Sequence, residues 1–436
     1  MSAGGEDDAQ RAVERVARTS YGRLVAYLAA RTHDLAAAED ALSDGMVAAL
    51  RTWPRDGVPD KPEAWLLTAA RNALTDAVRH RRVMAASEPA LRRLLGGAQP
   101  APDAAAFPDE RLKLLFVCTH PAIEPAARAP LMLQTVLGLD AAAIASSFLV
   151  SPATMSQRLV RAKARIRNAG LRFEVPAPEE SAERLDAVLE AIYAGFGLGW
   201  ERQSLLGLAP SPASGLARSP APGLADEALW IARDLLGLLP HQPEVLGLLA
   251  LLLHCHARRG ARRSPSGAYV PLEEQDTRRW DAAQIAEAES LLARAAALRR
   301  PGRFQLEAAI QSVHAERAHT GRTEWAAIAR FYEQLVKLAP TVGARTAHAA
   351  ATAEAAGPAA GLALLDDIGS IAAKGYQPYW AVRGHLLGQL GRDADAGDQA
   401  RAAYDLAIRL SQDPAVREHL RSKCRALERH DSRGSS

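Results

Sequence analysis

A chain of 436 residues is too long for one ordinary hydrophobic core, so two to four domains are expected. Its 48% hydrophobic and 24% charged residues exclude wholesale disorder, and a net charge of +3 is too small to prove a nucleic-acid partner by itself. Aromatic residues make up 5%, alanine and leucine dominate, and the expected fold class is all-α, because such side chains lose little freedom in a helix. The three cysteines, Cys118, Cys255 and Cys424, are too far apart for a disulfide framework or a cysteine-rich zinc site. His254-Cys255-His256 resembles a metal tripeptide, but successive helical side chains point about 100° apart and cannot converge on one ion. No cofactor is expected. The N-terminus carries no apolar core of the signal-peptide kind, and no apolar run reaches the roughly 18 residues of a membrane span. A cytoplasmic protein is expected, with no membrane partner.

In chain order, residues 11–52 read as two helices broken around Thr32-His33-Asp34. Val13, Val16, Leu24, Tyr27 and Leu28 recur at helical spacing, as do Ala38, Leu42, Met46 and Leu50. Pro54, Gly57, Pro59 and Pro62 mark a loop, and a third helix follows from Pro62, in its first turn, to about Arg82. Residues 86–108, rich in proline and holding Gly96-Gly97, read as a linker. From Asp109 to Gly170 the helices are short. Gly138 ends one, Asp140 caps the next over Ala141 to about Phe148, and Ser151-Pro152 opens another that runs to Gly170. A short helix, a tight turn and a longer helix outline a helix-turn-helix.

The texture changes after Pro178. Residues 183–430 form a succession of Ala/Leu-rich amphipathic helices, with Pro240, Pro340 and Pro414 expected to end three of them. The stretch from Leu386 to Pro414, with small residues and Tyr404, is close to a tetratricopeptide repeat of about 34 residues. Two segments interrupt the helices: Gln203–Gly223, rich in Pro, Ser and Gly, and the polar Arg258–Thr277, with a turn expected at Ser264-Pro265-Ser266-Gly267. Charge separates the two regions. Residues 1–175 hold 23 Lys and Arg against 19 Asp and Glu, and residues 176–436 hold 30 against 31. The basic surplus is gathered at Arg79, Arg81 and Arg82 and again at Arg158, Arg161, Lys163, Arg165 and Arg167.

The second helix of the helix-turn-helix splits into two faces. Met155, Leu159, Ala162 and Ile166 form an inward stripe, while Ser156, Gln157, Val160, Arg161 and Lys163 face the other way. A recognition helix needs that division, with apolar anchors inside and donors toward the major groove. An ordinary solvated basic face is the bland alternative for an isolated Arg-rich helix. Thr154-Met155-Ser156-Gln157-Arg158-Leu159-Val160-Arg161-Ala162-Lys163 resembles the region-four recognition helix of extracytoplasmic-function sigma factors. That resemblance implies contact of Ser156, Gln157, Val160, Arg161 and Lys163 with the −35 promoter element. Leu149 stands where that family usually has a glycine in the turn.

The N-terminal part is similar to region two of the same family. Ala38-Glu39-Asp40-Ala41-Leu42-Ser43-Asp44-Gly45-Met46 resembles its acidic helix, which implies docking of Asp40, Ser43 and Asp44 on the β′ coiled coil of core RNA polymerase. Asp40 and Asp44 lie four apart on one helical face, as paired carboxylates for basic partners require. Ser43 replaces the family's usual glutamine. Trp65 to Asp76 resembles the helix that opens the −10 element, which implies base contact by Asn72 and Asp76, with Arg79, Arg81 and Arg82 on backbone phosphates. Read alone, Trp65 is a core tryptophan.

The resemblance covers residues 11–172. The remainder, notably Leu112 to Pro121 and Trp200 to Asp281, is similar to the helical extension of one sigma subgroup that bears tetratricopeptide-like repeats. The implied organisation is a region-two domain over 1–85, the linker at 86–108, a region-four helix-turn-helix domain over 109–176 and a regulatory helical domain over 177–436. Its implied partners are core RNA polymerase through the β′ coiled coil and β flap, promoter DNA, and a protein or peptide partner of the extension. No phosphate loop, Gly-x-Ser-x-Gly or His-Glu-x-x-His is present, and Glu273, Glu274, Asp276 and Asp281 read as solvated loop acids, so no enzyme is expected. A helix-turn-helix regulator outside the polymerase and a helical-repeat scaffold are the rival readings. The acidic helix at 38–46 separates them, because a plain regulator has no use for it.

Overall fold

The computed structural model describes residues 3–84, 109–148, 150–171, 173–174, 176, 178–205, 223–391 and 394–434. The expected linker at 86–108, Leu149 and most of the Pro/Ser/Gly-rich segment at 203–223 lie outside the described residues. Among the described residues the chain is all-α, with nineteen α-helices, three 3-10 turns and no strand beyond one isolated bridge. It divides into two compact units. The first is Met1–Gly199 with Pro212–Ile231, the second Trp200–Ser211 with Ala232–Ser436.

The first unit opens with α1 (Ala3–Thr19), α2 (Tyr21–Thr32) and α3 (Leu35–Asp56), so the region expected as two helices forms three. The break before Asp34 lies where the sequence places it. His33 takes the left-handed conformation (φ 53°), its N–H bonds to the Ala29 carbonyl at 2.9 Å, and the Asp34 side chain caps α3 by accepting from the Ala37 N–H. The break at Ser20 has no counterpart in the apolar pattern, because Val13, Val16, Leu24 and Leu28 stay buried across it. A close approach accompanies it: a Cβ on Gly22 would lie 1.8 Å from the Val136 carbonyl oxygen. α4 (Pro62–Met84) pairs with α3 over Leu42, Ala49, Trp53, Leu66, Leu67 and Ala70, all buried. Each buried leucine contributes about 1.5–3 kcal/mol of transfer free energy. Leu50, expected on the inward stripe, is 44% exposed, and Ala49 and Trp53 take the inward positions. The core tryptophan is thus Trp53. Trp65, partly buried, meets its ring edge-on at 5.4 Å.

α5 (Arg111–Cys118), α6 (Pro125–Thr135), α7 (Ala141–Ser147) and α8 (Pro152–Asn168) follow. The Pro178–Gly199 part of α9 (Pro178–Leu205) and the Leu224–Ile231 part of α10 (Leu224–Leu238) belong to the same unit. Ala191, Ile192, Ala228 and Ile231 close over Leu115, Met132, Val136 and Leu137. Arg111 fastens this contact. It is buried, bonds Asp109 at 2.8 Å and Glu227 at 2.5 Å, and stacks 4.2 Å from the Trp230 ring. The two carboxylates hold its pKa above the ordinary value against the cost of burial.

The second unit continues through α11 (Pro243–Ala257), α12 (Ala282–Ala297), α13 (Arg303–Thr320), α14 (Trp325–Leu338), α15 (Val342–Ala356), α16 (Pro358–Ile368), α17 (Gln377–Leu390), α18 (Ala394–Leu410) and α19 (Pro414–Gly434). Consecutive helices pack as pairs, and the odd-numbered helices also meet one another, α11 on α13, α15 on α17 and α17 on α19. Pro240 and Pro340 lie just past helix ends, as expected. Pro414 does not end a helix but opens α19, because a first-turn proline has no N–H bond to lose and Asp413 accepts from the Ala415 N–H at 2.9 Å. The small residues near Tyr404 admit its ring: a Cβ on Gly384 would meet it at 3.0 Å.

Candidate nucleic-acid interface

Local capping defines the α7–turn–α8 segment. The Asp140 carboxylate accepts from the Ala143 N–H at 2.7 Å, and the Ser151 hydroxyl accepts from the Thr154 N–H at 3.2 Å, with Pro152 in the first turn of α8. Between them the Val150 N–H reaches the Ala145 carbonyl at 3.1 Å. Ile144, Met155, Leu159, Ala162 and Ile166 are all buried, at 5% exposure or less. Ser156, Gln157 and Arg161 are exposed, and Val160 is 66% exposed on the same face.

Lys163 is separated from these four. Its Nζ lies 2.6 Å from Glu39 Oε2 on α3, with the two side chains only 16% and 12% exposed. Burial raises the Glu39 pKa, Lys163 opposes the shift by charge and hydrogen bond, and Asp40 adds to it. Among the described residues, Glu39 Oε1 is buried without a hydrogen-bond partner, and Lys163 is the cation that faces the carboxylate. Sequence reasoning gave Glu39 no role. The only signal was its position, one residue before Asp40 and hence about 100° around the helix from the acidic face. Arg158 turns toward α6, its Nη1 3.4 Å from the Ala126 carbonyl.

Asp40, Ser43 and Asp44 share one exposed stripe of α3, which continues into Val47 at 45% exposure beside Leu50. The Ser43 hydroxyl donates to the Glu39 carbonyl at 2.9 Å, so its proton is committed to its own helix. The helix beneath is set close to α4 by Gly45, where a Cβ would lie 3.2 Å from the Leu66 carbonyl oxygen. On α4, Asn72 and Asp76 are exposed. Arg79, Arg81 and Arg82 continue that helix, and their side chains lie outside the described residues. Among the described residues, no group of three or more His, Cys, Asp or Glu is placed to hold a metal ion. No described helix is long and apolar enough to cross a membrane.

Comparison with known proteins places family models on both units. The sigma-70 region 2 model matches residues 16–83, which span α2, α3 and nearly all of α4. A family of unknown function, DUF6596, matches residues 184–296. No solved structure matches. An uncharacterized protein of Rhizobium meliloti (strain 1021) is 38% identical over 407 residues, 92% of this chain and 91% of that protein. The chain therefore belongs to one family with that Rhizobium meliloti protein, and its region 2 domain supports a sigma factor of the sigma-70 family.

Proposed function

We propose that the protein is a sigma factor of the extracytoplasmic-function type, which binds core RNA polymerase and directs promoter-specific initiation rather than catalysing a reaction. The observation that carries this reading is the two-sided α8. Four buried anchors hold it, and Ser156, Gln157, Val160 and Arg161 are left exposed in the same unit as the region 2 match. Arg161 and Gln157 offer donors to base edges of a −35 element, and Val160 offers an apolar contact of the kind that reads a thymine methyl. α7, the turn and α8 then act as a helix-turn-helix, with residues 109–176 as region four against the β flap. In residues 1–85, Asn72 and Asp76 serve the −10 element, and Arg79, Arg81 and Arg82 hold phosphates without specifying sequence.

Asp40 and Asp44 present paired carboxylates to the β′ coiled coil, and the neighbouring Val47 and Leu50 add apolar surface that docking would cover. Lys163 joins the DNA-contacting set only when α8 leaves α3, so holoenzyme formation parts the Glu39–Lys163 contact. α13, α15, α17 and α19 begin at residues 303, 342, 377 and 414, close to the about 34-residue period of tetratricopeptide repeats. This helical extension modulates the sigma activity. The test is reconstitution with purified core polymerase. Co-elution with core and discrete run-off transcripts, absent with core alone, are expected. Specific DNA binding by the chain without any affinity for core would replace this reading with that of a regulator.

A further inference from the structure

The polar segment between α11 and α12 is folded, and what it touches lies far along the chain. Residues 262–270 form a short hairpin. The Val270 N–H bonds the Arg262 carbonyl at 2.9 Å, the Ser264 N–H bonds the Ala268 carbonyl at 2.9 Å, and Gly267 takes φ +84° at the tip. This is the turn expected at Ser264–Gly267. The hairpin reaches the last helix: Arg263 pairs with Asp413, the N-cap of α19, and the Tyr269 ring meets His419 at 5.5 Å.

The returning segment is held by its backbone. Arg317 on α13 donates to the carbonyls of Leu272, at 2.8 Å, Glu273 and Gln275, at 3.1 Å. Gln275 is buried. Its amide donates to the Val270 carbonyl and its oxygen accepts from Trp280 Nε1, both at 3.3 Å. The Glu273 carboxylate is raised in pKa by burial and then by Glu354 on α15, with Arg317 and Lys423 on α19 opposing. One segment therefore touches both α13 and α19, two odd-numbered helices of the array.

We propose that the surface of α13 and α19 beneath this segment is a recognition site for an extended polypeptide, and that residues 262–275 occupy it as the chain's own ligand. The mode of holding fits that role better than it fits a core element. An arginine fork on main-chain carbonyls reads backbone rather than side chains, and an ion pair and a ring contact supply the side-chain selection. Between the buried Ala261 and Trp280, only Gln275 is buried. Hydrogen bonds, charge and the half-buried Tyr269, Val270 and Leu272, rather than fully buried apolar side chains, hold the segment in place, so it can be exchanged for another segment of the same chemistry. The occupant in cis acts at high effective concentration and excludes a competitor in trans.

The experiment needs neither polymerase nor DNA, so its outcome is independent of the sigma reading. In the full chain, residues 262–275 are replaced by a Gly/Ser linker of equal length, and a fluorescent synthetic peptide of residues 259–279 is titrated by anisotropy. Saturable binding to the replaced chain is expected, at least tenfold weaker binding to the intact chain, and loss of binding when Arg317→Ala is added to the replaced chain. A folded replaced chain that does not bind, or an intact chain that binds equally well, overturns the proposal. Should the replaced chain fail to melt cooperatively, the intact chain carrying Arg263→Ala with Tyr269→Ala is compared by hydrogen exchange. Residues 262–275 should then exchange at least tenfold faster than in the unsubstituted chain, and unchanged exchange overturns the proposal.

Discussion

Replacing Lys163 with methionine keeps most of the side-chain stem and removes the cation that faces Glu39. At 2.6 Å, with 12% and 16% exposure, the pair is close to buried. Removing one partner of a fully buried pair costs about 3–5 kcal/mol, because the other charge is stranded. Slight exposure of both groups lowers the expectation for K163M to about 2–3 kcal/mol at pH 7. Converting Glu39 to glutamine as well removes the stranded charge, so the double variant should recover about 1–3 kcal/mol as coupling energy. The sign of the pH dependence follows from the direction of the Glu39 shift. Its folded pKa is raised, so its contribution is fully present below the ordinary carboxylate value and lost as pH rises through the folded pKa. Without Lys163 that pKa rises further, and the deficit of K163M should shrink as pH falls from 7 toward 4. Native-state hydrogen exchange of α3 and α8 reads the local opening free energy directly. A K163M deficit under about 0.5 kcal/mol, or one that does not change with pH, refutes the reasoning.

Arg161→Ala should weaken promoter binding by about 1–3 kcal/mol and relax preference at one −35 base, read from binding to a set of single-base variants; a loss uniform across sequences makes Arg161 a phosphate contact. Asp40→Arg with Asp44→Arg should abolish core-polymerase binding in a titration while leaving the circular dichroism unchanged, since both residues are exposed. Burial holds the His254 pKa down to about 4, and Glu289, 3.4 Å from Nε2, is not aligned to hydrogen-bond it. Stability should therefore fall as pH drops from 6.5 to 4, and His254→Leu should flatten that decline in thermal melts. A fragment ending at Pro176 leaves Leu115, Met132, Val136 and Leu137 without the cover of Ala191, Ile192, Ala228 and Ile231. It should bind a hydrophobic dye more strongly and melt lower than a fragment ending at Ile231.

The amphipathic pattern of α8 announced its burial residue by residue, because a period of 3.6 and a Ser-Pro start report local geometry and one apolar face. The same held for the break at His33-Asp34, where a left-handed residue and an aspartate cap act within a few residues. Local pattern could not show the break at Ser20, since the apolar stripe runs on through it, nor the exposure of Leu50, which fits the stripe as well as its neighbour Ala49. Pro414 was misread because proline marks a helix boundary without saying on which side the helix lies.

By itself, then, the sequence determined the all-α class, the caps, the inward face of α8 and the acidic stripe of α3, since each follows from neighbours within a turn or two. Tertiary structure alone decided that Lys163 meets Glu39, that α9 and Leu224–Ile231 close over α5 and α6, and that the hairpin at 262–270 reaches α19. Those contacts join residues tens to more than a hundred positions apart. The stability they add depends on which surfaces the packed helices bring together, and periodicity along one helix carries no record of its partner.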